Sequence, residues 1–328
     1  MRAARRSHGR ITVCAELMKR FPLILLFGGA VAAADIRLGI IGTDTSHVVV
    51  FTEMFNNPAS PNHVAGARVV AAFKGGSPDI DSSWSRVDKY AEELRTKWKI
   101  EMEPDIPTLC QKVDAILLES NDGRKHLPQA RLVIAAHKPM FIDKPLASTL
   151  EDAREIARLA REAGVPFFSS SSARFSGIAT AMKFPDVTGA IVWGPGPLEP
   201  HHYLDLSWYA IHPIELLYTL MGRGCEEVSR MSTADSDEIA GRWKDGRLGS
   251  VRANRPHGDF GAVVFRPKEI VQSDRTMVEG YGPLLQEIVK FFQTGVAPVS
   301  PEETLEIIAF MDAAQRSKAA GGQPMRLR

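Results

Sequence analysis

The sequence contains few cysteines and has almost no net charge. Its 3 cysteines are Cys14, Cys110 and Cys225, and no C-x-x-C pair joins any of them. Neither a disulfide framework nor a cysteine-based zinc site is therefore expected. With 40 basic and 39 acidic residues, the formal net charge of +1 provides no overall field that would attract nucleic acid. We expect a small molecule as the partner.

No apolar run near the start of the chain reaches the roughly 20 residues that a membrane-spanning helix needs. Met18-Lys19-Arg20 is followed by an apolar stretch from Phe21 to Val31 and then by Ala32-Ala33-Ala34. This order is typical of a secretory signal peptide with an A-x-A cleavage site, and a retained anchor is the alternative. We predict a leader over residues 1–34, export to the periplasm or medium, and no membrane contact after cleavage.

A glycine motif is also incomplete. After the apolar strand 36–41 the chain reads Gly42-Thr43-Asp44-Thr45-Ser46-His47, where a dinucleotide-binding protein carries G-x-G-x-x-G. The second glycine lets backbone approach the pyrophosphate, and the third lets the helix pack on the strand. We expect the Asp44 carboxylate to repel the pyrophosphate at a cost of about a few kcal/mol. Part of this electrostatic cost is offset by the helix N-terminus, which attracts anions, and by the hydroxyl groups of Thr43, Thr45 and Ser46.

Strand-like and helix-like segments alternate from Asp35 onward, which is the pattern of β-α-β units around a parallel sheet. Strands are predicted over residues 36–41, 68–73, 115–119, 140–142 and 165–168, and helices over 85–97, over 127–136 and from Thr149 to Gly164. The last of these helices opens with Thr149 and Asp152 in a capping-box arrangement and stops at Gly164. We therefore predict a doubly wound α/β domain over residues 35–168.

The second half, residues 169–328, mixes strands with helices and is predicted to form a second α/β domain. Candidate strands run from 189 to 193 and from 261 to 266, and one helix covers 282–292. The final helix is capped by Ser300-Pro301-Glu302-Glu303 and stopped by Gly321-Gly322.

The order of several short motifs resembles the Gfo/Idh/MocA oxidoreductase family. These motifs are the Gly42 loop, Asp143-Lys144-Pro145-Leu146-Ala147, Arg174-Phe175 and His212-Pro213-Ile214-Glu215. The resemblance implies a Rossmann-type domain followed by an α/β domain with an open mixed β-sheet, with the last helix packing back on the first domain. It also implies action on sugars, inositols or related polyols with a nicotinamide cofactor, and it is compatible with a homo-oligomer.

The resemblance implies catalytic roles for Lys144 and His212. Lys144 matches the lysine that hydrogen-bonds the reacting hydroxyl, where a cation stabilises a developing alkoxide; a surface lysine at a strand end is the alternative. His212 matches the histidine of a D-x-x-x-H-x-x-D segment, but Trp208 stands where the first aspartate belongs. Asp205 or Tyr209 is a candidate substitute, and a helix-start histidine satisfied by backbone is the alternative for His212.

The cofactor site is expected to combine the altered loop with two later segments. Lys74 follows the second strand, where an acid would bind the ribose hydroxyls, and it favours the 2'-phosphate of NADP over NAD; a solvated loop lysine is the alternative. Asn121 and His126 match a loop near the nicotinamide ribose. The implied cofactor residues are Gly42, Thr43, Asp44, Thr45, Ser46, His47, Lys74, Asn121, His126 and Lys144.

A carbohydrate pocket is predicted around residues 201–212. The run His201-His202-Tyr203-Leu204-Asp205 fits no standard zinc spacing, so no metal site is predicted. Aromatic rings stack on sugar faces while polar groups bind hydroxyls, although packing of Trp208 against the sheet explains that residue equally well. The predicted substrate residues are Arg174, His202, Asp205, Trp208 and Tyr209.

Two functions of different kinds follow from these residues. The first is an exported NAD(P)-dependent oxidoreductase that acts on a sugar or polyol. The second is a descendant without a cofactor that binds a carbohydrate, or modifies it without redox chemistry, and the altered Gly42 loop favours it. An interaction module without any ligand has little support in the sequence.

Overall fold

The computed structural model of the chain describes residues 34–256, 258–274 and 280–328. The predicted leader lies outside the described residues except for Ala34. Residues 34–328 pack together as one unit. None of the helices within the described ranges is long and apolar enough to cross a membrane.

The first half of the chain contains a six-stranded parallel sheet. Its strands are β1 (Ile36–Ile41), β2 (Ala67–Phe73), β3 (Glu101–Glu103), β4 (Ala115–Leu118), β5 (Met140–Ile142) and β6 (Phe167–Ser169). They lie in the order β3-β2-β1-β4-β5-β6, so the direction of winding reverses between β1 and β4. Such a reversal opens a crevice at the carboxyl ends of the strands, where ligands bind. The predicted doubly wound sheet is confirmed.

Helices cover both faces of this sheet, which is why β4 and β5 are buried along their whole length. The helices are α1 (Ser46–Asn56), α2 (Asp81–Lys97), α3 (Ile106–Lys112), α4 (His126–Ala135) and α5 (Leu150–Ala163). The caps of α5 are as predicted: the Thr149 hydroxyl accepts the Asp152 amide at 3.1 Å, and Gly164 takes the left-handed conformation at φ 65°.

The second half contains a mixed sheet of seven strands. These are β7 (Gly189–Pro195), β8 (Cys225–Ser232), β9 (Ser236–Trp243), β10 (Leu248–Asn254), β11 (Gly261–Phe265), β12 (Ile270–Gln272) and β13 (Met325–Arg326), in the order β12-β11-β7-β10-β9-β8-β13. Only β7 and β10 pair in parallel among them. The predicted open mixed sheet is confirmed. The helices in this half of the chain are α6 (Gly177–Met182), α7 (Ile211–Met221), α8 (Gly282–Thr294) and α9 (Pro301–Ala319).

Helix α8 belongs to the core of the first sheet, although it comes late in the chain. Leu285 and Ile288 are fully buried in one apolar cluster with residues of β1 and β2. Phe168 on β6 contacts Phe141 and Phe291, with ring centroids 5.0 Å apart in both pairs. A helix from the second half of the chain therefore completes the hydrophobic core of the six-stranded sheet. The proposed domain limits of 35–168 and 169–328 stay a prediction.

Candidate functional site

A cavity of about 450 Å³ lies at the carboxyl ends of the strands of the first sheet. It receives residues from the loop after β1, from α2, from the segments after β4 and β5, and from α7. Among the residues that line it are Thr45, Ser46, His47, Ser82, Arg86, Asn121, Lys144, Trp208, Tyr209, His212, Phe260 and Tyr281. This volume suits a small-molecule ligand, and the location is the switch point of the sheet.

Gly42 is required where it stands. Its φ is +89°, and a Cβ placed on it would lie 2.6 Å from the Cα and the backbone nitrogen of Ser120. Only glycine fits both the conformation and the space. The turn directs the chain to Thr45, which caps α1 by accepting the His47 amide at 3.4 Å, so the first turn of α1 opens onto the cavity.

Asp44 does not face the cavity, contrary to expectation. Its side chain is buried, with Oδ2 accepting the Ser83 hydroxyl at 2.5 Å and Oδ1 accepting the Asn121 amide at 3.1 Å. Burial raises the pKa of this carboxyl. Thr43 is also turned inward, because its hydroxyl donates to Val87 O at 3.0 Å. The expected repulsion of a pyrophosphate by Asp44 is therefore not supported.

His47, the last residue of the altered motif, lies on the cavity wall beside two acids. Its Nδ1 is 2.9 Å from Asp143 Oδ2 and 3.8 Å from Glu119 Oε2. The imidazole stacks on Phe51 with a centroid distance of 5.2 Å and meets the edge of Tyr281 at 4.9 Å. These ring contacts hold the imidazole in one orientation towards the carboxylates.

The ionisation of this group follows from its environment. Burial alone would lower the pKa of His47, but the charge of Asp143 and its hydrogen bond raise it to about 9. Burial raises the pKa of Glu119 to about 7, and the neighbouring Asp143 acts in the same direction. Against the effect of burial, the charges of His47 and Lys144 hold the pKa of Asp143 well below its usual range. An imidazolium–carboxylate pair therefore borders the cavity at neutral pH.

Lys144 and His212 line the same cavity from opposite halves of the chain. His212 Nδ1 lies 2.6 Å from the hydroxyl of Ser171, and its ring meets the edge of Tyr209 at 5.0 Å. Burial and the charge of Lys144 lower the pKa of His212 well below its usual value, so the imidazole is neutral. Ser171 thus orients the ring in place of the absent aspartate.

Three of the predicted substrate residues lie away from the cavity in buried contacts. Arg174 Nε donates to Glu215 at 2.8 Å and its Nη1 donates to Glu303 at 2.6 Å. His202 Nε2 lies 3.2 Å from Asp122. Asp205 accepts from the buried Arg230 at 2.7 Å and from Lys318 at 2.8 Å. These positions do not support substrate contact, and they leave Asp205 unable to serve His212. The other two predicted substrate residues, Trp208 and Tyr209, do line the cavity.

Five of the ten predicted cofactor residues lie outside the cavity lining: Gly42, Thr43, Asp44, Lys74 and His126. Lys74 is half-exposed at the end of β2 and forms an ion pair with Asp88. His126 is fully buried, with Nε2 2.8 Å from Ser120 O and Nδ1 3.2 Å from Leu146 O. His126 therefore joins two loops at the strand ends, while a preference for NADP stays a prediction.

Several residues of the site were not predicted from the sequence. Ser82 and Arg86 lie four positions apart on α2, a spacing that puts them on one helix face, but the predicted helix began only at Ser85. Ser171 and Tyr281 carry no local signal of their roles. Glu119 was predicted only as a strand residue, and its position after β4 was the available clue.

One known family and one curated relative match part of the chain. Residues 36–171 match an oxidoreductase family with an NAD-binding Rossmann fold, Gfo/Idh/MocA. The 1,5-anhydro-D-fructose reductase of Ensifer adhaerens is 41% identical over 71 residues, which is 22% of this chain and 21% of that protein. The chain thus aligns with about a fifth of this relative's length.

Solved structures resemble the whole fold. The myo-inositol dehydrogenase of Lactobacillus casei, in complex with NAD(H) and myo-inositol, has a TM-score of 0.70 at 16% identity, over 90% of this chain and 97% of that one. The myo-inositol 2-dehydrogenase of Lactobacillus plantarum has a TM-score of 0.71 at 14% identity, over 90% and 100%. At such identities the likeness establishes the fold alone. Residues 36–171, which contain the whole six-stranded sheet, thus match the Gfo/Idh/MocA oxidoreductase family, and the fold of the chain is that of these solved dehydrogenase structures.

Proposed function

We propose that the protein is an exported NAD(P)-dependent oxidoreductase that acts on a hydroxyl group of a sugar or polyol. One observation carries this proposal: Lys144 and His212 line a single cavity next to the open first turn of α1. The family match and the reductase name of the curated relative support the redox class.

The residues present fit a nicotinamide dinucleotide. The first turn of α1 offers backbone amides and the hydroxyls of Thr45 and Ser46, and Arg86 lines the same cavity from α2. A helix N-terminus with a nearby guanidinium is a donor set for a phosphate group. When bound, the nicotinamide would accept or supply the hydride.

The chain's own residues would handle the substrate oxygen. The Lys144 ammonium stabilises negative charge that develops on the reacting oxygen, which is an electrostatic role suited to a partly dry site. The neutral His212, oriented by Ser171, donates or accepts a hydrogen bond at the same oxygen. Trp208 and Tyr209 present apolar surface against which a sugar ring stacks.

A second candidate function is carbohydrate binding or modification without a nicotinamide. The observation that favours it is the side chain of His47, which occupies the cavity wall at the start of α1 where the fingerprint has a glycine. An imidazole there narrows the space beside the first turn. The neighbouring Asp143 and Glu119 also provide acid and base groups that hydride transfer does not require.

Fluorescence titration with NADPH and NADH separates the two candidates. The oxidoreductase proposal expects binding of at least one dinucleotide with a Kd below about 1 mM, in the usual range for substrates and cofactors, and nicotinamide-dependent turnover of a polyol such as myo-inositol. Lys144→Ala should lower turnover at least about 100-fold while thermal unfolding stays unchanged. Absence of any dinucleotide binding by folded protein would refute the proposal and leave the second candidate.

Export and the assembly state are tested separately. Full-length chain expressed in a bacterium should appear in the periplasmic fraction or the medium with its new N-terminus near Asp35, as shown by mass spectrometry. Retention of residues 1–34 would contradict this. The open second sheet offers an edge or face on which two chains could pair, so we propose a homo-oligomer. Light scattering measures the number of chains per particle.

A further inference from the structure

The cluster of His47, Glu119 and Asp143 has features that the proposed oxidoreductase function does not use. Each residue offers one ligand atom, and these atoms all lie within 4.8 Å of one another. The side chains of Glu119 and Asp143 are 0% and 5% exposed, and that of His47 is 12% exposed. A buried pair of carboxylates with an imidazole is unusual, since buried charges need partners.

The fold itself places these residues together. Ile41, Leu118 and Ile142 are register partners on the adjacent strands β1, β4 and β5. Glu119 and Asp143 directly follow two of these partners, and the chain beyond β1 turns at once into α1, which carries His47. Three neighbouring strands therefore each deliver one side chain to the same point at the carboxyl edge of the sheet.

The unpaired, buried carboxylate of Glu119 points to a ligand. Both of its carboxylate oxygens are buried and neither has a hydrogen-bond partner among the described residues. The 3.8 Å separation from His47 Nδ1 is too long for a hydrogen bond. Within the same described part of the chain, no lysine or arginine forms an ion pair with Glu119. Buried polar groups without partners are rare and commonly mark an ion or a water.

The spacing of the three side chains suits a metal ion. Donor atoms about 2.0–2.2 Å from a metal are about 3.0–3.5 Å apart in octahedral or tetrahedral geometry. His47 Nδ1 lies 2.9 Å from Asp143 Oδ2 and 3.8 Å from Glu119 Oε2, so small shifts complete such a set. A divalent ion would also neutralise the two adjacent carboxylates.

We propose that His47, Glu119 and Asp143 form a binding site for one divalent transition-metal ion of the Zn²⁺ or Mn²⁺ kind. One imidazole with two carboxylates is a ligand set that these ions accept, and three protein ligands leave coordination positions open. When the ion binds at Nδ1, the proton between His47 and Asp143 is released to solvent, because a metal-bound imidazole is neutral. His47 and the neighbouring Lys144 line the cavity, so the site adjoins the space in which a hydroxylated ligand would lie. This site goes beyond the proposed function and does not depend on a nucleotide.

Calorimetric titration of chelator-treated protein with Zn²⁺ and with Mn²⁺, in the absence of nucleotide, tests the proposal. We expect one ion per chain. Glu119→Gln should weaken binding by more than the roughly 10–100-fold that loss of an outer-shell partner costs. The matched control is Asp44→Asn, which alters a buried acid at the same sheet edge outside the cluster and should bind as wild type does.

Two results would overturn the proposal: no binding of either ion by folded wild-type protein at about 1 mM, or equal affinity in Glu119→Gln. If Glu119→Gln does not fold, NMR of wild-type protein with ¹⁵N-labelled histidine replaces it. Mn²⁺ should then broaden the His47 resonances first, and broadening centred on any other histidine refutes the site. Because no nucleotide is present, failure here leaves the dinucleotide titration unaffected.

Discussion

Replacement of Arg174 by methionine should destabilise the fold rather than weaken substrate binding. The Arg174 side chain is only 9% exposed, and its guanidinium neutralises Glu215, which is 2% exposed. Methionine fills similar space but leaves that carboxylate buried without a counter-charge, although Ser171 N and the Ser170 hydroxyl still donate to it. Breaking a buried pair in this way costs about 3–5 kcal/mol.

At about 2–4 °C per kcal/mol, the midpoint of thermal unfolding should fall by about 10 °C. Differential scanning calorimetry measures this shift. The double variant Arg174→Met, Glu215→Gln removes the stranded charge and should recover more than half of the lost stability. The control is Arg158→Met, which removes an exposed guanidinium paired with Glu155 and should leave the midpoint almost unchanged.

The opposite pattern would refute this reasoning. If Arg174→Met unfolds at the wild-type temperature but raises KM for a polyol, Arg174 contacts substrate, as the sequence analysis predicted. Glu215 also holds the backbone of Ser171, which in turn orients His212. A loss of kcat in the folded single variant, with KM unchanged, would be consistent with that indirect connection.

Three further outcomes are expected. Lys144→Ala should lower kcat at least about 100-fold in initial-rate assays with an unchanged unfolding midpoint, and retained turnover contradicts the role of Lys144. Ser171→Ala should lower kcat more than it changes KM, because His212 loses the partner that orients its ring; equal kinetics would exclude that role. His212 is held neutral in the folded protein, so below about pH 6.5 the unfolded chain takes up the proton first. As the pH decreases, the free energy of unfolding measured in urea should therefore fall more steeply for the wild type than for His212→Gln, by up to about 1.36 kcal/mol per pH unit. The same pH dependence in both proteins would contradict this prediction.

Local patterns explain which elements were predictable from the sequence. The strand β1 was predicted with the bounds that it has, because an apolar run ends at a glycine whose positive φ the turn requires. Both caps of α5 were also predictable, since Thr149 and Gly164 act on neighbouring backbone. The strands β8 to β10 were not predicted, because their alternation includes charged residues such as Arg230, which is buried only through partners distant in sequence.

Site residues were predictable where they directly follow a strand, because that position alone places them at the carboxyl edge of the parallel sheet. Lys144 and Asn121 follow strands of a parallel sheet and reach the cavity, as expected from that rule. Contacts between distant residues gave no local signal. Ser171 meets His212 across 41 positions, and Glu119 meets His47 in a cluster that the sequence analysis did not consider when it predicted no metal site.

The late arrival of α8 has a consequence for synthesis of the protein. Phe141 and Phe168 are made long before Phe291, which completes their aromatic contact. At about 5–20 residues per second, a ribosome needs roughly 6–25 s to add the stretch between β6 and the end of α8. During that interval the apolar face of the first sheet that α8 later covers is exposed. Translation speed and chaperone supply should therefore strongly influence the yield of soluble protein.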